Sequence, residues 1–374
     1  MLILRKYRLF AMIRKYYTGE KRSTKRLKKR ISAIVFSLMI IGLGLQGCTF
    51  QQNTEHTTLA FGAIEELRYE EALGHFQMAI EKGENVQSIA RGEGIAYLGL
   101  ARYEEAIEKF LLALSYSNEF VDDFDFDTNY YLATAYFKNG QMKEAEQVYS
   151  AILALRKDRE AYYLRGLTYL EQSEIEKAKT DFNLALESNK TDYDMRIEIC
   201  QAFTKKGLPE DGKAYLQAAL GSSEKKVSDF DKGRLSYYME DYENARNYLE
   251  ASKGTKDADT VLLLGQTYEK LGDYNYAASI YSNFLTTNSE NVVILNRLGM
   301  CKLEAKDAAS ALEYFERALA LEDPSMTQVL KFNQIVAYEY LGEFDQANIL
   351  MKNYLSVYPD DEDALREYEF LKSR

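Results

Sequence analysis

The sequence predicts an all-α fold, a solenoid of about nine helix pairs closed by one C-terminal helix. Three observations predict it: a repeat period near 34 residues, small residues at fixed places in each period, and no strand-type alternation from Thr57 to Lys372. Each period has a small anchor residue followed four positions later by a bulky one. The anchors are Ala72, Ala106, Ala145, Ala178, Gly212, Ala245, Ala277, Ala311 and Ala347. Because the spacing is that of one supersecondary unit, it indicates a stacked array.

Each unit has the pattern of two closely packed helices. A small residue stands twelve positions before the anchor in eight of the nine units. Small residues on both helices let the backbones approach, and the bulky residue after the anchor fills the space beside them. The bulky residues are Phe76, Phe110, Tyr149, Phe182, Leu216, Leu249, Tyr281, Phe315 and Met351. The turn between the helices is marked by Gly140, Gly207, Gly272 and Gly342, where a left-handed conformation would close a helix.

This pattern resembles the tetratricopeptide repeat (TPR). Close matches to its small-aromatic-small-bulky order are Gly265, Tyr268, Ala277 and Tyr281, and Gly94, Tyr97, Ala106 and Phe110. The first-helix tryptophan of the consensus is missing, since the chain has no Trp. The resemblance spans roughly residues 53–361 and implies a right-handed superhelical α-solenoid whose first helices line a partner-binding groove.

The two ends of the array and one internal linker have their own signals. An array needs a polar cover at its end, and residues 362–374 are predicted to form a capping helix after an array spanning 59–361. Ala364, Leu365, Tyr368 and Leu371 are expected to face inward. The longest spacing, 39 residues between Ala106 and Ala145, predicts a longer linker around 118–128.

The first 47 residues have the order of a secretory signal. Residues 1–30 carry twelve Lys or Arg, residues 31–47 carry no charge, and the segment ends Leu45-Gln46-Gly47 before Cys48. This ending resembles the lipobox of bacterial lipoproteins, which implies cleavage before Cys48 and a lipid on that residue. We therefore expect a signal peptide over 1–47, a polar tether over 48–58, and a lipid-anchored protein on the extracytoplasmic side of a bacterial cell membrane. The alternative is an uncleaved signal anchor in which Cys48 is incidental. Under either interpretation, the start of the protein is Met1 or Met12.

The charge beyond that segment argues against nucleic acid as a partner. Twelve of the 47 basic residues and one of the 58 acidic residues lie in residues 1–30, so the chain from Cys48 onward has a net charge of −22. Such a surface repels phosphate backbones and anionic lipid headgroups.

The sequence contains no pattern that predicts catalysis or a cofactor. It has no Ser-His-Asp order, HExxH motif or glycine-rich phosphate loop, and Cys200 and Cys301 are expected to be buried thiols. Asp123, Asp125 and Asp127 alternate as in a calcium loop, but Thr128 and Thr134 stand where that loop needs Gly and Glu. We therefore expect neither an enzyme nor a metal site.

The resemblance also implies which side chains line the groove. The family's positions transfer to Tyr130, Phe137, Tyr163, Leu167, Leu170, Gln201, Phe230, Arg234 and Tyr237. Exposed aromatic rings and an Arg are favoured at protein-binding hot spots, although several of these rings could instead belong to the core. The Lys-and-Asn clamp of chaperone-binding members is absent. We expect a membrane-tethered, non-catalytic scaffold that binds a protein or peptide. The alternative is an envelope factor that binds glycan or peptidoglycan through the abundant tyrosines.

Overall fold

The computed structural model describes residues 54–117, 121–221, 227–252 and 257–374, which form α-helices joined by short turns. These residues divide into two compact units between Lys190 and Thr191. Within the described ranges, no helix is both long enough and apolar enough to cross a bilayer. The predicted signal peptide and Cys48 lie outside the described residues.

The first unit consists of four antiparallel helix pairs, which we number as repeats 1 to 4. Their helices are α1 (Glu55–Glu65), α2 (Tyr69–Glu81), α3 (Val86–Gly99), α4 (Tyr103–Ser115), α5 (Asp123–Lys138), α6 (Met142–Leu155), α7 (Arg159–Glu171) and α8 (Ile175–Glu187). In every repeat the first helix packs along the second, and the second packs on the first helix of the next repeat in the same unit.

The second unit continues the pattern with repeats 5 to 9 and a final helix. Its helices are α9 (Tyr193–Lys205), α10 (Pro209–Leu220), α11 (Asp229–Tyr238), α12 (Tyr242–Ser252), α13 (Ala258–Lys270), α14 (Tyr274–Leu285), α15 (Val292–Glu304), α16 (Ala308–Leu319), α17 (Thr327–Leu341), α18 (Phe344–Val357) and α19 (Glu362–Leu371). The predicted all-α class with about nine helix pairs and a C-terminal helix is confirmed.

The repeat pattern in the sequence corresponds to one packing arrangement. All nine anchors, Gly212 among them, are buried, and so are the nine bulky residues that follow them. The small residue on the first helix lies against the bulky side chain of the second, so a Cβ added to Gly94 would stand 2.6 Å from the ring of Phe110. The same contact recurs between Gly166 and Phe182 at 2.7 Å. Small residues are needed there because the helices approach more closely than a larger side chain permits.

The turn inside every repeat has one backbone geometry. The residue five positions before the anchor has a positive φ in all nine repeats. It is glycine in four of them, as predicted, and Leu67, Ala101, Ser173, Glu240 or Lys306 in the others. In repeat 3, Gln141 N donates to Tyr136 O at 2.9 Å and Gly140 N donates to Phe137 O at 3.1 Å, which is a Schellman closure. This closure makes the chain reverse within a few residues.

The array begins earlier than the sequence predicts. Helix α1 starts at Glu55, inside the predicted tether 48–58 and four residues before the predicted boundary at 59. The cause is a tertiary contact: the carboxylate of Glu84 accepts hydrogen bonds from Thr57 N at 2.9 Å and from Thr57 Oγ1 at 2.6 Å. Because that side chain satisfies amide groups at the helix start, the first turn forms without a local capping signal.

The predicted linker at 118–128 is shorter, because α5 already starts at Asp123. Asp122 caps this helix, and its side chain accepts from Asp125 N at 2.9 Å. Asp125 in turn is buried and accepts from Ser117 Oγ. The carboxylates of Asp122 and Asp125 therefore form a helix cap. In the same segment, the Arg91 guanidinium lies over the ring of Phe124, 4.1 Å from its centroid.

The capping helix is present over 362–371, within the predicted 362–374. Ala364 and Leu371 are buried against α17 and α18, and Tyr368 packs beside them. Leu365 was predicted to face inward but is 43% exposed. Leu365 lies on the solvent-facing side of α19 together with the charged residues of this helix. Fewer apolar side chains of α19 therefore contact the array than expected.

Candidate partner-binding face

The predicted groove residues all lie on first helices, as expected, and they belong to both units. Those in α5 and α7 lie in the first unit, and those in α9 and α11 lie in the second. Most of them are half-buried, and the neighbours of each side chain decide whether it is available to a partner.

Tyr130 and Phe137 on α5 are partly engaged within the protein. The Tyr130 hydroxyl donates to Asp158 Oδ1 at 2.6 Å, and its ring lies 6.4 Å from the buried ring of Tyr149. Burial and the facing Asp158 carboxylate raise the pKa of Tyr130 well above its ordinary value. Asp158 also caps α7, so Tyr130 links two successive first helices. Phe137, like Tyr130, packs on the apolar cluster that contains the buried Tyr149.

The neighbouring Tyr131 was not among the predicted groove residues, yet it is more open than Tyr130. Its ring stacks on Phe110 with centroids 5.7 Å apart and remains 37% exposed. Adjacent helical residues point about 100° apart, so one member of a tyrosine pair enters the stack and the other faces outward.

The three predicted residues of α7 differ from one another. Tyr163 and Leu167 are half-buried, and the Tyr163 ring lies 6.0 Å from the buried ring of Phe182. Leu170 is 2% exposed. Its assignment to the groove is therefore wrong, because it packs in the core at the end of the helix.

In the second unit, Gln201 on α9 is exposed, whereas the rings on α11 are packed. Phe230 and Tyr237 both contact the cluster of Leu249, Leu263 and Leu264. Tyr237 also meets Tyr238 and Tyr242 edge-on, with centroids 5.4 Å and 5.6 Å away. These rings therefore contribute to the stability of repeats 6 and 7 as well as to the surface.

Arg234 was predicted to be a cation available to a partner, and its surroundings contradict that. Its guanidinium pairs with Asp194 of the preceding first helix and lies 3.6 Å from Asp231. It also lies over the Phe230 ring at 5.6 Å. A partner carboxylate would have to compete with two carboxylates of the protein itself.

Repeats 8 and 9 also present a first-helix face. Asn333 Nδ2 on α17 donates to Asn296 Oδ1 on α15 at 2.8 Å. Val293 and Val329 stand one turn before these residues and are 38% and 47% exposed. The 37-residue separation of the asparagines hides the pair in the sequence. The sequence indicates this pair only in that both asparagines lie at nearly the same position of successive repeats.

A partly buried polar cluster joins repeats 7 and 8. The Tyr281 hydroxyl donates to Glu269 Oε1 at 2.6 Å, and Arg297 Nη1 lies 3.3 Å from Glu269 Oε2. The Cys301 thiol contacts the same carboxylate at 3.8 Å. Burial and the Glu269 charge raise the pKa of Cys301 to about 12. This thiol stays protonated at neutral pH, so it has a packing environment and not that of a nucleophile.

Among the described residues, Cys200 is also buried, and neither Cys200 nor Cys301 forms a disulfide bond. In the same part of the chain, no group of three or more His, Cys, Asp or Glu side chains is placed to hold a metal ion. The side chains of the first-helix faces offer apolar contact, ring stacking and hydrogen bonds, which is the chemistry of protein recognition.

Three segments of the chain match a known repeat family. The tetratricopeptide repeat family matches residues 92–161, 130–194 and 262–325. A tetratricopeptide repeat protein from Parabacteroides merdae is 17% identical with a TM-score of 0.42, over 67% of this chain and 98% of its own. MamA from Desulfovibrio magneticus is 20% identical with a TM-score of 0.39, over 46% of this chain and 94% of its own.

Pseudomonas aeruginosa PilF is 20% identical with a TM-score of 0.39, over 57% of this chain and 96% of its own. No curated protein matches the sequence. The matched segments coincide with helix pairs that carry the anchors Ala106, Ala145, Ala178, Ala277 and Ala311. Residues 92–194 and 262–325 therefore match the tetratricopeptide repeat, and the described residues fold as an all-α repeat array.

Proposed function

We propose that this chain is a non-catalytic scaffold, tethered to the outer side of a bacterial membrane by a lipid on Cys48, that binds a protein or peptide. The observation that carries the binding part is the series of first helices in each unit, with half-buried apolar and aromatic side chains that keep part of their surface open. Such side chains lose little conformational entropy on binding and bury much apolar area.

The tethering part rests on the order of residues before the array. The basic run, the uncharged run and Leu45-Gln46-Gly47 precede Cys48, and the described array begins only a few residues later, at Glu55. A lipid at Cys48 would hold the repeats close to the membrane surface. One acyl chain binds a membrane only marginally, so stable anchoring requires a second signal such as another acyl chain.

Site-specific photocrosslinking in the native host tests the binding part. A photoreactive residue at Gln201 or Val293, both exposed on first helices, is expected to form an adduct with one partner protein. The control is Glu316, which is exposed on the second helix α16. Equal adducts at Glu316 would contradict a first-helix interface. An adduct that muramidase shortens would favour the glycan interpretation.

Labelling with a fatty-acid analogue tests the tether. Cys48→Ala is expected to abolish labelling and leave the full precursor, because the thiol that accepts the lipid is lost. The matched control is Cys200→Ala, since Ala60 and Ala133 occupy the equivalent place in repeats 1 and 3. Labelling that persists in Cys48→Ala would refute the tether while leaving the binding face untouched.

A further inference from the structure

A cleft of about 340 Å³ is lined by three successive helices of repeats 6 and 7, namely α12, α13 and α14. Thr260 and Leu264 on α13 are its buried lining residues. Glu250 lines it from α12, and Tyr276 and Asn283 line it from α14. None of the predicted groove residues belongs to this lining. The cleft is therefore separate from the partner-binding face proposed above.

We propose that the cleft binds a small neutral saccharide, whose hydroxyl groups are held by the polar side chains and whose C–H faces contact the apolar ones. Small-molecule sites occupy roughly 300–1,000 Å³ and combine apolar walls with a few polar groups. The apolar part of this lining comes from Val261, Leu264, Ile280 and Phe284. At about 340 Å³ the cleft lies at the lower end of that size range, so it fits a small ligand with both polar and apolar surface.

The hydrogen-bonding groups of the lining are mainly acceptors. Ser279 Oγ donates to Tyr276 O at 2.7 Å, and Thr286 Oγ1 donates to Asn283 O at 2.7 Å. Each of these hydroxyl oxygens therefore keeps lone pairs for a ligand. The carboxylate of Glu250 only accepts, and the exposed Asn283 amide adds an acceptor together with donors. A saccharide matches this lining because each of its hydroxyl groups brings a donor.

The charge of the lining favours a neutral ligand. Within the described part of the chain, no Lys or Arg lines the cleft, so a phosphate or carboxylate group would find no cation there. Of the described residues that line it, Glu250 alone carries a carboxylate, and this group already accepts from the Tyr268 hydroxyl at 3.0 Å. A cationic ligand would gain less from an engaged carboxylate than from a free one, whereas hydroxyl groups need no opposite charge.

Tyr276 gives the cleft an aromatic wall that the other repeats lack. The residue directly before the anchor is polar or charged in the other eight repeats, namely Glu71, Glu105, Glu144, Lys177, Asp211, Asn244, Ser310 and Gln346. The Tyr276 ring is 41% exposed, and its centroid lies 4.4 Å from that of Tyr268. Because the Tyr268 hydroxyl also bonds to Glu250, this ring holds the aromatic wall and the carboxylate at a set separation. A site arranged in advance loses less free energy in ordering its side chains when the ligand binds.

Saturation-transfer NMR of the full chain with two neutral disaccharides, cellobiose and chitobiose, tests the proposal. Transfer to at least one of them is expected. Asn283→Ala should weaken that binding at least about fivefold, because hydrogen bonds to the ligand are lost. Tyr276→Glu, which introduces the residue that repeats 1 to 3 have at this position, should weaken it as well. The matched control is Asn353→Ala, since Asn353 is exposed at the equivalent position of repeat 9 and lies outside the cleft.

Two charged probes, lysine amide and glycerol phosphate, distinguish a saccharide site from a site for a cation or an anion. Tighter binding of either probe than of both disaccharides would overturn the proposal. Absence of transfer to both disaccharides, or equal binding by Asn283→Ala and Asn353→Ala, would overturn it as well. Photocrosslinking at Gln201 or Val293 should not change in Asn283→Ala, so the saccharide site and the first-helix interface stand or fall separately.

Discussion

Gly265 lies directly against the ring of Tyr281, sixteen residues later in the same repeat. A Cβ atom at Gly265 would stand 2.2 Å from Cε1 and Cζ of that ring. The ring is fully buried, and its hydroxyl is held by Glu269. The aromatic residue cannot rotate away, so the helix spacing in repeat 7 depends on the missing side chain.

Gly265→Ala is therefore expected to destabilise repeat 7 by about 1–3 kcal/mol through overpacking. Gly74→Ala is the matched control, because Gly74 lies inside α2 with nothing within 4 Å of an added Cβ. That substitution should stabilise its helix by roughly 0.5–1 kcal/mol. Hydrogen exchange resolved by repeat measures both changes, and equal effects at the two glycines would contradict the packing assigned to Gly265.

The left-handed turn residues allow a test of backbone conformation alone. Ala101 and Gly272 occupy the same place in repeats 2 and 7, with φ of 58° and 82°. Ala101→Gly should stabilise repeat 2 and Gly272→Ala should destabilise repeat 7, each by about 1 kcal/mol, since only glycine adopts this conformation without steric cost. An added Cβ at Gly272 meets no atom within 4 Å, so a larger loss would mean that the turn is held by something other than φ. Urea denaturation of each variant measures the change.

Repeat 4 contains a buried ion pair between Arg165 and Asp181, at positions where other repeats have different residue pairs. Arg165 forms two hydrogen bonds to Asp181, of 2.7 Å and 2.9 Å, and Asp181 is nearly inaccessible. Asp181→Ala should cost about 2–4 kcal/mol because the guanidinium loses its partner in a mostly buried site.

Two double variants provide the controls for that prediction. Repeat 2 has Glu93 with Lys109 at these positions, 2.7 Å apart, and repeat 3 has Leu132 with Val148. Arg165→Glu with Asp181→Lys, and Arg165→Leu with Asp181→Val, should therefore each recover most of the stability. Thermal unfolding that leaves both double variants as unstable as Asp181→Ala would show that the site requires this particular pair.

The rings at Tyr163 and Phe230 are expected to affect stability as well as binding. Phe230→Ala removes contact with Leu249, Leu263 and Leu264, and should cost about 1–2 kcal/mol because the ring is only half-buried. Tyr163→Phe retains the ring contact with Phe182 and removes only the hydroxyl group. If Tyr163→Phe weakens crosslinking at Val293 or Gln201 without loss of stability, its hydroxyl belongs to the interface. Unchanged crosslinking in both variants would place the partner elsewhere.

The fold could be predicted from the sequence because the repeat pattern is local and redundant. Each repeat places a small residue, an anchor and a bulky residue at spacings set by helix geometry, and the same pattern occurs in nine repeats. Gly94 with Phe110 and Gly166 with Phe182 are the same contact repeated. The candidate site was less predictable, because a first-helix position specifies which way a side chain points and not what already occupies that space.

The sequence by itself determined the helix pairs, the four glycine turns, the buried anchors and the C-terminal helix, since these depend on period and residue size. Only the tertiary structure decided that Glu84 extends the first helix to Glu55, that Leu170 is buried and that Arg234 is paired with Asp194. It alone also brought Asn296 to Asn333. The physical reason is the same in each case. These contacts join residues about 27 or more positions apart, so they depend on how successive helices stack and not on any pattern within one repeat.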